Sequence, residues 1–330
     1  MKGLTYAWVI IGLLSGGARA ELGELYCRHG SFAPADGSSS GRNYAPSREV
    51  DILHLAIDVT PDFKQRSIEG EVTVRFKPIA KPLLELRLDA VDLSVANVGS
   101  SEKVSGWHAS DKEVVVTFQS PVPADKEATV NIRYSATPKK GLYFRTPEMG
   151  YKVEDTHIWT QGEPIEARHW YPSFDAPNEK FTSEVTCRVP EGMVVLSNGK
   201  MISEEKESGT GLIGVRWLQE KPHVNYLIAL VAGKLKKIED KYKDIPLAFY
   251  TPASQIEHAQ NSFKDTKDMM AFFEKEIGVP YPWAKYYQVC VDDFGWGGME
   301  NTSLTILNDR TLHLAESEPI VSSQGLIAHE

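Results

Sequence analysis

The amino-acid sequence predicts a mainly β N-terminal domain, a sandwich or saddle, followed by the opening of an α+β domain. Two observations carry this reading. Between residues 50 and 235 apolar residues recur at period two in many short runs, with no helical stretch among them. Near residue 240 the period changes to three and four. At 330 residues and 42% apolar content there is also material for at least one large core.

The first run is Leu53, Leu55, Ile57 and Val59, alternating with more polar neighbours as a half-buried strand requires. The same alternation recurs at Val72 to Phe76, Leu84/Leu86/Leu88, Val114 to Phe118, Val130 to Tyr134 and Val185 to Val189. It returns at Met193 to Leu196, Ile213 to Trp217 and Tyr226 to Val231. Thr60-Pro61-Asp62, Pro121-Val122-Pro123 and Ser197-Asn198-Gly199 punctuate these runs as turns. From Ser254 the texture is helical. Ser254 and Glu257 have the spacing of a capping box, and Ile256, Ala259, Phe263, Met270, Phe273 and Ile277 make an apolar stripe interrupted by Thr266. Gly278 and Pro280 end it, which predicts one helix of about six turns. Strands are expected around Tyr287 to Val291 and Leu304 to Leu307, and a second helix from Pro319 onward.

Residues 1–20 read as a secretory signal, with Lys2 in the n-region, an apolar Leu4–Leu14 and a small-x-small site at Ala18-Arg19-Ala20. Eleven apolar residues make ~16 Å of helix, short of a ~30 Å bilayer core. Cleavage is therefore expected, with an exported periplasmic or extracellular product; an uncleaved signal would anchor the chain to the membrane. Residues 21–48 form a small-residue linker, 49–237 the all-β domain and 238–330 the first part of the second domain. Loss of Lys2 and Arg19 takes the net charge from −9 to −11, which argues against nucleic acid as a partner. Cys187 and Cys290 sit in apolar runs as buried free thiols, Cys27 falls in the linker, and no C-x-x-C pair is present.

Two stretches carry chemistry. Gly297-Gly298-Met299-Glu300-Asn301 puts side-chain-free backbone beside one acid, a combination of G-x-M-E-N that chance gives in on the order of one such chain per thousand. Glycines let a strand approach a bound peptide closely. The closing Ala328-His329-Glu330 begins an H-E-x-x-H pattern, in which two histidines on one helix face chelate zinc and the glutamate takes a proton. A His-Glu pair alone says little; its position after Asn301, with 27 residues between, is what informs. His157, His169, His223, His258 and His313 lack metal spacing and read as structural or surface residues, and Asp292-Asp293 reads as a strand-end turn. No G-x-S-x-G elbow or phosphate-binding glycine loop occurs, which disfavours serine hydrolases and nucleotide binding.

With these residues in view, the chain resembles the aminopeptidase N-like gluzincin zinc metallopeptidases, a family that also contains the leukotriene hydrolases. A third stretch supports the resemblance: Thr160-Gln161-Gly162-Glu163-Pro164, then Ala167-Arg168 and Tyr171-Pro172-Ser173-Phe174-Asp175-Ala176-Pro177. It is similar to the family's T-Q-x-E-P…A-R…F-P-C-F-D-E-P, departing at Tyr171, Ser173 and Ala176. The resemblance implies a thermolysin-like second domain, a Zn²⁺ cofactor and peptide substrates with a free N-terminus. It implies that Glu163 and Glu300 bind the substrate ammonium, Gly297, Gly298 and Met299 hold its backbone, His329 ligates zinc and Glu330 is the general base. The family's remaining ligands would follow Glu330, so these 330 residues are expected to be inactive alone. The rival expectation is a non-catalytic peptide-binding or scaffold protein; a leukotriene-hydrolase-like activity is a lesser one.

Overall fold

The computed structural model describes residues 48–318 and 320–330. The expected signal, most of the linker, Cys27 and Pro319 lie outside them. The described chain is mainly β, as expected. A seven-stranded sheet runs in the spatial order 200–206, 212–224, 180–190, 50–62, 67–78, 128–136, 94–100. Neighbours in it are antiparallel except strands 50–62 and 180–190. Three-stranded (83–89, 113–122, 104–109) and four-stranded (194–197, 230–233, 157–160, 142–145) sheets share its core. Leu55, Ile57, Val72, Val74, Val116, Ile132 and Val185 are all buried there, and Phe76 stacks on Phe118 across it.

A five-stranded mixed sheet follows, in the order 235–242, 245–252, 286–291, 304–308, 298–299. Strands 286–291 and 304–308 are covered on both faces, as inner parallel strands usually are. Val289, Val291, Leu304 and Ile306 join the β-domain core; Cys290 and Leu307 face a second core with Phe249, Phe263, Met270 and Ile327. One sheet is thus the partition between the two cores. Both described cysteines are fully buried free thiols.

Several local expectations are corrected. A bulge between Ile52 and His54 makes Ile52, not Leu53, the buried residue, and one between Leu83 and Glu85 leaves Leu84 48% exposed while Leu83 turns inward. Within Tyr226–Val231, residues 225–227 form a 3₁₀ turn and the strand begins only at Leu230, because the Asn225 side chain is held by Tyr171 and Asp175. The six-turn helix is two helices, α1 (Ile256–Ser262) and α2 (Thr266–Ile277). It breaks where Phe263 stacks flat on Phe249 and buried Thr266 accepts a hydrogen bond from Gln288 Nε2 at 3.1 Å. No capping box forms: the Ser254 hydroxyl donates to Asp155 at 3.0 Å, and Gln255 precedes α1 without a side-chain cap. Gly278 does end α2, at φ 76° with its N–H on the Glu274 carbonyl. Phe273 and Ile277, in the expected apolar stripe, are exposed. The last helix, α3 (Gln324–His329), starts later than expected, where the Ser323 hydroxyl bonds the Ser262 carbonyl at the end of α1.

Candidate active site

The glycine stretch forms the edge of the five-stranded sheet. Gly298 pairs with Leu307 and Met299 with Ile306, and the Gly297 carbonyl accepts from Asn308 N at 2.9 Å. The opposite side of Gly298–Met299 has no neighbouring strand among the described residues, so an extended chain can add there by main-chain hydrogen bonds. Beyond Glu300 the backbone turns under cover. Asn301, Thr302 and Ser303 are buried, and Leu304 N closes the turn on the Asn301 carbonyl at 3.0 Å.

The β domain supplies the facing wall. Strand His157–Thr160 delivers Gln161, Gly162 and Glu163 to its end. Gln161 is buried, and its amide donates to Met299 Sδ at 3.4 Å, so two motifs 138 residues apart meet directly. Gly162 is obligatory for a packing reason: a Cβ there would lie 2.5 Å from the Tyr226 carbonyl oxygen. Glu163 is half-buried and joined to Pro164 by a cis peptide.

Glu330, the residue after α3, lies over Gly298, where a Cβ would come within 2.3 Å of its Oε1. Both of its carboxylate oxygens are buried without a hydrogen-bond partner among the described residues. Burial first, then the charges of Glu300 and Glu163, push its carboxyl up to about 8. Burial and the same two carboxylates raise the Tyr226 phenol. The fold therefore gathers Glu163, Glu300, Glu330, Gly298 and Met299, all named from the sequence, and adds Tyr226, which no sequence pattern marks. A concentration of negative charge with unpartnered carboxylate oxygens favours a cation.

The metal half is thin. His329 is exposed on the last turn of α3 and offers one imidazole. Among the described residues no group of three or more His, Cys, Asp or Glu side chains is arranged to hold a metal ion. A tetrahedral zinc needs three or four protein donors, so these residues alone do not form a zinc site.

Two of the other histidines are buried in hydrogen bonds. His157 lies between the Asp155 carbonyl (2.6 Å) and Asp292 N (3.2 Å), and His223 between Ser183 (2.7 Å) and Thr302 (3.1 Å). Each ties the β domain to the segment carrying Glu300. Asp292-Asp293 is the expected strand-end turn, with Asp293 at φ 54°; Trp159 and Arg145 donate to the Asp292 carbonyl, both at 3.2 Å.

Burial lowers both His157 and His223 to about 4. The unfolded chain, at about 6.5, then binds protons that the folded chain refuses. Their contribution to stability is complete above pH 6.5 and is lost as the pH falls toward 4, by about 3 kcal/mol for each. Asp292 opposes this: burial and the nearby Asp309, Asp155 and Asp293 raise it to about 6, so acid relieves its charge, but it is only half-buried and its influence is smaller. Glu330, raised to about 8, opposes it further, so the histidines are read by difference: between pH 6.5 and 4.5 the melting temperature should fall more, or rise less, in wild type than in His223→Gln, and an equal change in both would contradict their role.

Comparison with known proteins gives two family matches. Residues 46–227 match the peptidase M1 N-terminal domain and residues 261–330 the peptidase family M1 domain. Aminopeptidase 2, mitochondrial, of Saccharomyces cerevisiae is 30% identical over 79% of this chain and 29% of its own length. Aminopeptidase M1-A of Oryza sativa is 25% identical over 82% of this chain and 33% of its own, and probable aminopeptidase 1 of Sulfurisphaera tokodaii is 25% identical over the same shares. The chain thus spans about a third of the length of these relatives. With its first match alone covering more than half of the sequence, the chain belongs to the M1 peptidase family.

Proposed function

We propose that these residues are the substrate-gripping part of a zinc aminopeptidase site, one that removes N-terminal residues from peptides. The observation that supports this is the convergence of Glu163, Glu300 and Glu330 beside the open sheet edge at Gly298. An extended peptide pairs with that edge through its backbone, and its ammonium enters between Glu163 and Glu300. Those two carboxylates fix the register at the first residue. Burial is the larger cause of the raised Glu330 carboxyl; the ammonium offsets the part that comes from Glu300 and Glu163, which favours Glu330 as the carboxylate that accepts a proton. Zinc, held by His329 with donors outside these residues, would supply Lewis acidity toward the scissile carbonyl. The 330 residues taken alone are a peptide-binding unit, since one imidazole does not retain zinc. Export from the cytoplasm is part of the proposal and rests on residues 1–20 alone.

The test is a blocked substrate. A peptidase carrying these residues should hydrolyse leucine p-nitroanilide and leave its N-acetyl derivative intact, while the 330-residue chain turns over neither, even with zinc added. Comparable rates on the free and acetylated compounds would overturn the role of the carboxylate pair.

A further inference from the structure

Lys285 is a buried lysine that the proposed chemistry does not use. Its residue is 4% exposed, and no carboxylate lies within ion-pair reach of it among the described residues. Nζ donates to the Ser197 carbonyl at 2.9 Å, the Ser303 carbonyl at 3.0 Å and the Ser303 hydroxyl at 3.3 Å. It also lies 5.0 Å from the Trp217 ring centroid and 4.7 Å from that of Tyr287. Three oxygens and two aromatic faces favour the ammonium, while burial opposes it and lowers its pKa well below the usual lysine range.

The partners belong to different halves of the chain. Ser197 ends a β-domain strand; Ser303 closes the turn that begins just after Glu300. Ser303 is itself constrained, at φ 63° in the left-handed region that a non-glycine residue rarely occupies. Its hydroxyl also accepts from Gly199 N at 2.8 Å and its carbonyl from Tyr287 N at 3.1 Å. Next to it, the Thr302 carbonyl accepts from Asn198 Nδ2 at 2.7 Å, and the same amide group reaches the Leu227 carbonyl, beside Tyr226, at 2.9 Å. The Ser197–Gly199 turn therefore holds both the residue after Tyr226 and the turn after Glu300. Lys285 binds that turn to the end of the Glu300 segment.

We propose that Lys285 is a positioning residue, whose buried amino group fixes the turn Asn301–Leu304 against the β domain and so sets Glu300 at its distance from Glu163. It touches no substrate. This rests on the reading that the two carboxylates bind an ammonium, and the test separates the two claims.

The probe is L-leucinamide, titrated calorimetrically at pH 6.5, where its amine is protonated, into the 330-residue chain. Lys285→Met keeps length and apolar bulk but removes every donor; it should weaken leucinamide about tenfold, the loss of one charge-assisted hydrogen-bond set. Lys285→Arg keeps the charge and donors, and the cavity of about 480 Å³ that Lys285 borders can admit the larger head; it should stay within about threefold of wild type. Ser303→Gly suits φ 63° and removes only the hydroxyl, so it should remain folded and weaken binding by a smaller factor. Rescue by arginine separates positioning from packing, since methionine already fills the space. Equal affinity in wild type and Lys285→Met overturns the role of Lys285. If Lys285→Met does not fold, unchanged affinity in Ser303→Gly overturns it instead. Failure of leucinamide to bind the wild-type chain sinks the reading of Glu163 and Glu300, not the packing of Lys285.

Discussion

Glu300→Ala in the peptidase that carries these residues should lower kcat/KM for a free-amine substrate by about 30- to 1,000-fold, the loss of about 2–4 kcal/mol. The size follows from what the bound state leaves behind. An ammonium between two carboxylates is held by charge-assisted hydrogen bonds in a cleft that the peptide itself closes to water. Removing one carboxylate leaves the ammonium half-partnered and already desolvated. Stability should not follow activity. Glu300 is exposed, whereas its neighbours Met299 and Asn301 are buried. The alanine side chain disturbs no packing, and one of the carboxylates that crowd Glu330 is removed. A melting temperature unchanged or slightly raised, together with the kinetic loss, is the expected pair of results; wild-type kcat/KM would remove Glu300 from the site.

The second large effect is structural. Arg168→Met should destabilise the β domain by about 3–5 kcal/mol. Asp175 is 2% exposed, and Arg168 reaches it three ways: backbone N to Oδ2 at 3.1 Å, Nε to Oδ2 at 3.0 Å and Nη2 to the Asp175 carbonyl at 2.9 Å. Asn225 Nδ2 completes the set at 2.8 Å. Burial raises the Asp175 carboxyl above its ordinary range, with Arg168 and Asn225 opposing the rise. Without the guanidinium a buried carboxylate keeps its charge with little to offset it. Protonation then becomes the relief, so the deficit should shrink as the pH is lowered from 7 toward 5. Urea denaturation of both proteins at the two pH values measures this. A deficit that grows with acid would mean that Asp175 is not the group left unpaired. The damage should reach the site as well. Asn225 precedes Tyr226, whose carbonyl packs on Gly162 and thereby seats Glu163.

Much of this arrangement could be read from residue order, and the parts that could not have physical causes. Alternation located most buried strand positions because burial on one face of a sheet demands it. It failed at Leu53 and Leu84, where a bulge adds one residue and reverses the phase. The helix break at Phe263–Asp265 was invisible because its cause is tertiary. Stacking of Phe263 on Phe249 and a Gln288–Thr266 bond outweigh one more turn of backbone bonds. Ser254 misled in the same way, its hydroxyl being drawn to Asp155 in the 3₁₀ turn Val153–Asp155. At the site, motif order named the carboxylates, and the fold then brought Gln161 onto Met299. Tyr226, Asn198 and Lys285 had no such signal. Each is a lone polar residue in a strand or turn, and its partner lies 18 to 104 residues away. The zinc expectation meets one imidazole, His329, on α3, and no group of three or more metal-binding side chains gathers around it among the described residues.

The claim at the centre is that Glu163 and Glu300 together grip a free ammonium. The most direct measurement is the affinity of the 330-residue chain for L-leucinamide against N-acetyl-L-leucinamide, for wild type and for the Glu163→Ala/Glu300→Ala double variant. Wild type should bind the free amine and discriminate against the acetylated compound by at least tenfold, about 1.4 kcal/mol, and the double variant should lose the discrimination while staying folded. Equal binding of the two compounds by wild type, or discrimination that survives in the double variant, would contradict it.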